Sequence, residues 1–312
     1  MIEINGIAIP SASRQRLELP VARLATQTLL SLPMTVIEGG RSGPKLWLSA
    51  AIHGDEINGV EIIRQVLEAI EPKYLAGTLI AVPIVNIFGF IEQSRYLPDR
   101  RDLNRSFPGS ARGSLASRLA HLFMQEVVSR CTHGIDLHTA SHHRTNLPQI
   151  RANLQDPETY RCAMAFGAPA IVHSTTRDGS LRQAATKQGI PILLYEAGEA
   201  LRFDSEAIAV GVEGIMRVMA KLEMYDSSVV PTAEPPVCVE KTRWVRSPRS
   251  GILHLEVALG DRVCKKQRLG KIVDAFGHTN GEVRSPCNGL AIGHTKNPLV
   301  NQGDGILHLA LL

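Results

Sequence analysis

Short apolar runs alternate with amphipathic stretches through most of this chain, and that alternation limits its fold more than any other feature. Residues 46–52 (LWLSAAI) are apolar enough for a strand buried on both faces. Residues 58–70 (NGVEIIRQVLEAI) carry apolar side chains at about every third or fourth position, and Pro72 lies just beyond. That spacing predicts a helix. Residues 79–85 read as a second strand and 114–130 as a second helix, with Ser114 placed to cap it. Further strands are expected at 134–139 and 190–196, and a closing helix at 205–223. Strands that alternate with helices imply an α/β fold, a mostly parallel sheet covered on both faces. Residues 1 to 45 read as an irregular or β-rich entry segment.

The pattern changes at 226–236 (DSSVVPTAEPP), where Ser, Pro and small residues predict a linker. Beyond it, short apolar alternations separated by Gly, Asp, Asn and Pro predict an all-β segment. This segment repeats itself: Ser247-Pro248-Arg249-Ser250-Gly251 recurs as Ser285-Pro286-Cys287-Asn288-Gly289. Each copy leads towards a turn, Gly260-Asp261 and Gly303-Asp304. Residues 240–312 resemble the biotinyl/lipoyl-type barrel-sandwich hybrid. In carrier proteins of that type a hairpin between the copies presents a modified lysine. Here the stretch is Val273 to Gly281 without a lysine, so a structural cap is expected instead. The expected organisation is therefore an α/β domain at 1–225, a linker at 226–239 and a small β-domain at 240–312.

His53-Gly54-Asp55-Glu56 stands between the first strand and the first helix. In parallel α/β sheets, ligand sites lie just beyond the carboxyl ends of the strands. A His and a Glu three apart across such a turn can face one cation. His138 ends another predicted strand. Two His and one Glu form a catalytic zinc set, with one position open for water. Taken singly, each of these residues also suits a structural role. Asp136 shares a strand face with His138 and can orient its imidazole. Asp102-Leu103-Asn104-Arg105 forms a polar turn with a guanidinium fork for a carboxylate. Glu196 closes an apolar strand, as a general base or as a capping or paired carboxylate.

These motifs in order, HGDE, then Arg95-Tyr96 and DLNRSFPG, then DLHT, then YEAG, resemble the succinylglutamate desuccinylase/aspartoacylase family of the zinc carboxypeptidase superfamily. The resemblance covers about residues 40–225, and the extra β-domain also fits the family. It implies a mixed sheet flanked by helices, with one zinc ion per chain held by His53, Glu56 and His138. It implies Glu196 as the base that activates water, Arg95 as the group that polarises the scissile carbonyl, and Asn104 and Arg105 as the clamp on the substrate α-carboxylate. The chain runs two residues longer than aspartoacylase between Arg95 and Asn104, so Arg100 and Arg101 compete for the place of Arg95. The implied activity is hydrolysis of the amide bond in small N-acyl amino acids. The alternatives are a metallocarboxypeptidase acting on short peptides and a non-catalytic metal- or carboxylate-binding protein.

Residues 140–151, just after His138, are the expected pocket wall, with Arg144, Asn146 and Gln149 towards substrate. His142 and His143 are read as bystanders, since three protein ligands complete the zinc set.

Composition narrows the remaining classes. A net charge of +4 from scattered basic residues, with 4% aromatics, offers no stacking platform or basic run for nucleic acid. No apolar run is long enough for a transmembrane helix, and the N-terminus lacks a secretory pattern. Five cysteines without a CxxC pair predict free thiols, mostly buried, and a cytoplasmic setting. No partner beyond the small substrate is implied, and a homo-oligomer stays open.

Overall fold

The computed structural model describes residues 2–226 and 233–312. Strand Arg41–Ala50 lies between Ala76–Val82 and His133–His138, parallel to both, and Ile192–Glu199 joins the far side of His133–His138, also parallel. Antiparallel strands flank this block. Leu29–Glu38 and Ser13–Arg23 extend one side, and Arg144–Ala152 pairs with Ile192–Glu199 on the other. The sheet is therefore mixed, more so than the alternation alone implies, because the entry segment folds back as a long hairpin.

Strand periodicity sends alternate side chains to opposite faces. Leu48, Leu137 and Tyr195 pack on one face with Ile62, Val66, Phe166 and Ile215 from helices Asn58–Ala69, Pro157–Phe166 and Ser205–Lys221. Trp47 and Ile80 pack on the other with Leu119 and Phe123 of Leu115–Glu126 and Leu181 of Leu181–Lys187. A fully buried Ile or Leu contributes about 1.5–3 kcal/mol, so truncating Ile63, which is fully buried, would loosen helix Asn58–Ala69. Ser114 caps helix Leu115–Glu126 as expected, accepting from the Ser117 N–H.

The bridge expected at 226–239 falls partly on 227–232, which lie outside the described residues. Its last residues, Val237–Val239, form a strand parallel to Ala170–His173. The C-terminal strands do not stand apart from the main sheet. Gly289–Thr295 pairs antiparallel with Arg144–Ala152, setting Gly293 opposite Asn146 and Thr295 opposite Arg144. Gly305–Leu311 and then Thr242–Arg246 continue the same sheet, with Trp244 directly opposite His308. Four other strands of this segment form a separate antiparallel sheet, while Arg262–Val263 pairs with Gly289–Thr295 in the main one.

The sequence repeat is also a repeat of bonds. Ser247 Oγ donates to Arg249 O, and Ser285 Oγ donates to Cys287 O, each at 2.6 Å. Asp261 Oδ2 accepts from the Ala258 N–H and Asp304 Oδ2 from the Asn301 N–H, each at 2.8 Å. The two turn glycines, Gly260 and Gly303, both have positive φ, +87° and +92°.

Cys131 and Cys162 are buried, but Cys238 and Cys264 are exposed, so the expectation of mostly buried thiols fails. Among the described residues, no helix is long and apolar enough to cross a membrane.

Candidate active site

A cavity of about 510 Å³ opens over the carboxyl ends of the parallel strands. Three elements bring its central residues together. The chain leaves strand Arg41–Ala50 through Ala51, which has positive φ, and turns at once into His53–Glu56. Gly54 makes this turn workable: a Cβ there would lie 1.9 Å from the backbone of Gly89. His138 ends its own strand, and Glu196 sits opposite it in parallel register. Residues paired in this way point to the same sheet face. Asp136, His138, Leu194 and Glu196 thus all line the cavity.

His53, Glu56 and His138 are buried, and their donor atoms lie within 4.8 Å of one another. Glu56 Oε1 is 2.7 Å from His53 Nδ1, and Glu56 Oε2 is 2.7 Å from His138 Nδ1. The Thr139 N–H also donates to Glu56 Oε2 at 3.2 Å. The outer ring nitrogens are held as well. His53 Nε2 lies 3.2 Å from Asp102 Oδ1, and His138 Nε2 lies 2.8 Å from Asp136 Oδ2. Asp136 accepts in turn from Ser49 Oγ at 2.8 Å.

Burial pushes the Glu56 carboxyl up, but His53 and His138 outweigh it and hold it well below the carboxylate range. Burial pushes His138 down, and Asp136 and Glu56 more than reverse this. His53 is raised against burial in the same way, by Glu56 and Asp102. Asp102 itself is held low by His53 and Arg95, again against burial.

This donor set fits a divalent cation. Two imidazoles and a carboxylate converge, and a carboxylate orients each imidazole from behind, as metal-binding histidines require. A second cluster, His133, Glu158 and Cys162, fits less well. Arg161 already holds both oxygens of Glu158, and burial pushes the Cys162 thiol up to about 12.

Arg95 reaches the cluster. Its Nη2 donates to Asp102 Oδ2 at 2.9 Å, and its Nη1 lies 3.2 Å from His53 Nδ1. Arg100 and Arg101 stay exposed, and Arg101 pairs with Asp99. Asn104 Oδ1 accepts from the Leu181 N–H at 2.9 Å, while Arg105 Nη1 donates to Asn104 O at 2.5 Å. Both residues line the cavity. Glu196 Oε2 accepts from Asn146 Nδ2 at 2.8 Å and lies 3.7 Å from Arg151 Nη2.

The expected wall after His138 is largely a strand, Arg144–Ala152. Arg144 and Asn146 line the cavity, but Gln149 does not: it is fully buried and donates to Ile292 O at 2.9 Å. The sheet junction uses its amide. The rings of His142 and His143 touch each other at a tilt of 57°, outside the metal-type cluster.

Sequence reasoning missed Asp102 as an imidazole partner, although it stands inside a quoted motif. Arg151 lies at the end of the expected wall and lines the cavity, but Trp244 and His308 were missed. No local signal marks the last two, which reach the site only through the sheet pairing of the C-terminal strands with Arg144–Ala152.

Comparison with known proteins gives the family and the fold. Residues 42–222 match the family model described as the succinylglutamate desuccinylase/aspartoacylase catalytic domain. The chain is 28% identical over 292 residues to an N-alpha-acetyl-L-2,4-diaminobutyric acid deacetylase of Halomonas elongata, covering 89% of this chain and 85% of the relative. A succinylglutamate desuccinylase/aspartoacylase structure from Rhodobacter sphaeroides superposes with a TM-score of 0.84 at 26% identity, covering 96% of this chain and 95% of that one. The fold is also that of the Ectoine utilization protein EutE (DoeB) from Ruegeria pomeroyi, with a TM-score of 0.86, 23% identity and 98% of each chain covered.

Proposed function

The chain belongs to the succinylglutamate desuccinylase/aspartoacylase family, and on that premise we propose that it is a zinc-dependent hydrolase of small N-acyl amino acids. The observation that carries this reading is one cavity that holds the buried His53–Glu56–His138 cluster with Glu196 in register beside His138. The name of the Halomonas relative supports an N-acyl amino acid as substrate.

His53, Glu56 and His138 would hold one zinc ion, which when bound supplies a Lewis acid for the amide carbonyl and for water near neutral pH. Asp102 and Asp136 keep the two imidazoles in their ligating orientation. Glu196 takes a proton from the attacking water on a carboxylate oxygen and passes it to the leaving nitrogen. Asn146 donates to that carboxylate and fixes its direction. Arg95, anchored by Asp102, donates towards the negative charge that develops on the carbonyl oxygen. Arg105 and the Asn104 amide hold the α-carboxylate and so orient the scissile bond. The products are a carboxylate and a free amine.

A carboxypeptidase acting on longer chains fits less well. Trp244 and His308, from the C-terminal strands of the same chain, wall the cavity where a peptide would continue.

The test is amine release from a panel of N-acyl amino acids and short peptides, with metal content measured on the same sample. The expected result is about one zinc per chain and chelator-sensitive hydrolysis of the acyl amino acids. Bound metal without turnover on any member would instead favour a binding protein.

A further inference from the structure

Strand His133–His138 carries a histidine at each end. His138 serves the cavity at the carboxyl end. His133 stands at the other end, about 16 Å away along the strand, and does not line the cavity. Its imidazole faces helix Pro157–Phe166, where Glu158 and Cys162 lie four apart on one helix face. His133 Nε2 is 3.0 Å from Glu158 Oε1, and Cys162 Sγ is 3.8 Å from the same oxygen. One ligand atom from each of the three residues lies within 4.8 Å of the other two.

The hydrogen bonds behind His133 set its tautomer. Thr132 Oγ1 has one proton and donates it to Lys45 O at 3.0 Å. The same oxygen accepts from the Lys45 N–H at 2.9 Å. His133 Nδ1, 2.9 Å from that hydroxyl, must therefore be a donor. A neutral ring then turns the bare lone pair of Nε2 towards a carboxylate oxygen, and two acceptors 3.0 Å apart repel. A cation has to stand between them, either a second ring proton or a metal ion. An acceptor that holds the far N–H is also what orients metal-binding imidazoles.

The other two residues can serve as ligands. Arg161, with His133, holds the Glu158 carboxyl down at about 2, so it is ionised. Arg161 takes one lone pair of each Glu158 oxygen, and each keeps another. The Glu158 side chain is 35% exposed, which gives an ion a way in. A void of about 10 Å³, the size of one water, is lined by His133 and Cys162. Burial and Glu158 push the Cys162 thiol up to about 12, but a coordinated thiol gives up its proton to the metal's charge.

We propose that His133, Glu158 and Cys162 form a second metal site, one that takes a thiophilic divalent cation such as zinc and clips helix Pro157–Phe166 to the strand that ends in His138. The ion enters as the Nε2 proton and the thiol proton leave to solvent. Nε2, Oε1 and Sγ are its protein ligands, and water fills the fourth position. The sulfur selects zinc or cobalt over magnesium or calcium. The ion binds only the folded arrangement, so its role is to stabilise the fold. The site stands whether or not the cavity hydrolyses acyl amino acids.

Cobalt reports on the two clusters separately, because His53, Glu56 and His138 offer no sulfur. A thiolate ligand gives cobalt(II) a strong charge-transfer band in the near ultraviolet. The full chain, stripped with a chelator and kept reduced, is titrated with cobalt(II). The band is expected to saturate as bound cobalt reaches about two per chain, and added zinc should erase it. Cys162→Ser and His133→Gln should each lose the band while about one cobalt per chain remains. His133 is half-buried at a strand end, so its variant keeps the test open if the serine variant folds poorly. Thr132→Val should move the midpoint of the band about 10–100-fold to higher cobalt, because the imidazole loses its support. No band in the parent protein overturns the site. A band that persists in either variant also overturns it and assigns the sulfur to an exposed thiol such as Cys238 or Cys264. A band at about one cobalt per chain, with none bound in Cys162→Ser, keeps this site and removes the metal from the cavity.

Discussion

Around Glu56, each charged group meets an opposite partner. Both imidazoles lie between two carboxylates, and Arg95 is anchored on Asp102. Around Arg144 and Arg151, cations face open space, a tryptophan ring and a neutral histidine. The first end holds its geometry before any ligand arrives, because removing one partner strands a buried charge. The second end is left incomplete by the protein. The compensated cluster is closed in charge without a ligand, and the other end leaves positive charge towards the cavity.

Four substitutions test that contrast. The largest effect is expected at Glu196, which belongs to neither end fully. Glu196→Gln should lower kcat by about 10²–10⁴-fold while metal content stays near one per chain. Unchanged turnover would remove Glu196 from proton transfer.

Asp102→Asn breaks the compensated end without touching a ligand. Metal affinity, read by competition with a chelator, should fall about 10–100-fold. An unaltered affinity would mean that the outer carboxylates do not hold the imidazoles in place.

Arg105→Ala probes the α-carboxylate clamp between the two ends. KM should rise about tenfold for substrates with a free α-carboxylate, with little change for their α-amides. If both substrate types weaken equally, the clamp lies elsewhere.

His308 offers the smallest readout, in stability against pH. Its folded value near 3 lies below the ordinary imidazole value of about 6.5. Above that ordinary value both states are neutral and pH has no effect. As pH falls from about 6.5 towards 3, the unfolded imidazole takes a proton that the folded one refuses, so the native state loses stability. His308→Phe removes this contribution, and its melting temperature should fall less steeply over that window. Parallel curves for both proteins would show that His308 titrates normally.

Two pairs of the compensated end, His53 with Glu56 and Asp136 with His138, were readable in sequence because each pair is local. HGDE packs two members of the buried cluster, His53 and Glu56, and the turn that orients them into four residues. Asp136 and His138 sit two apart on one strand, so strand geometry alone places them together. Arg95 was named, but only the fold separates it from Arg100 and Arg101, which remain at the surface. The wall strand Arg144–Ala152 was seen as a wall and not as a strand, because its polar residues and Pro148 hide the alternation. Helices Pro157–Phe166 and Leu181–Lys187 were not foreseen either; both are short, and their burial depends on the sheet they cover.

The sequence by itself determined the α/β alternation, the doubled β-unit and the turn that carries His53 and Glu56, all set by side-chain period and by spacing within a few residues. Only the tertiary structure decided that the C-terminal strands join the main sheet at Arg144–Ala152 and bring Trp244 and His308 to the cavity. The physical reason is range. Local periodicity fixes which way a side chain points from its own strand. Which strands become neighbours depends on pairing and burial between segments far apart in the chain, and no short run of residues records that.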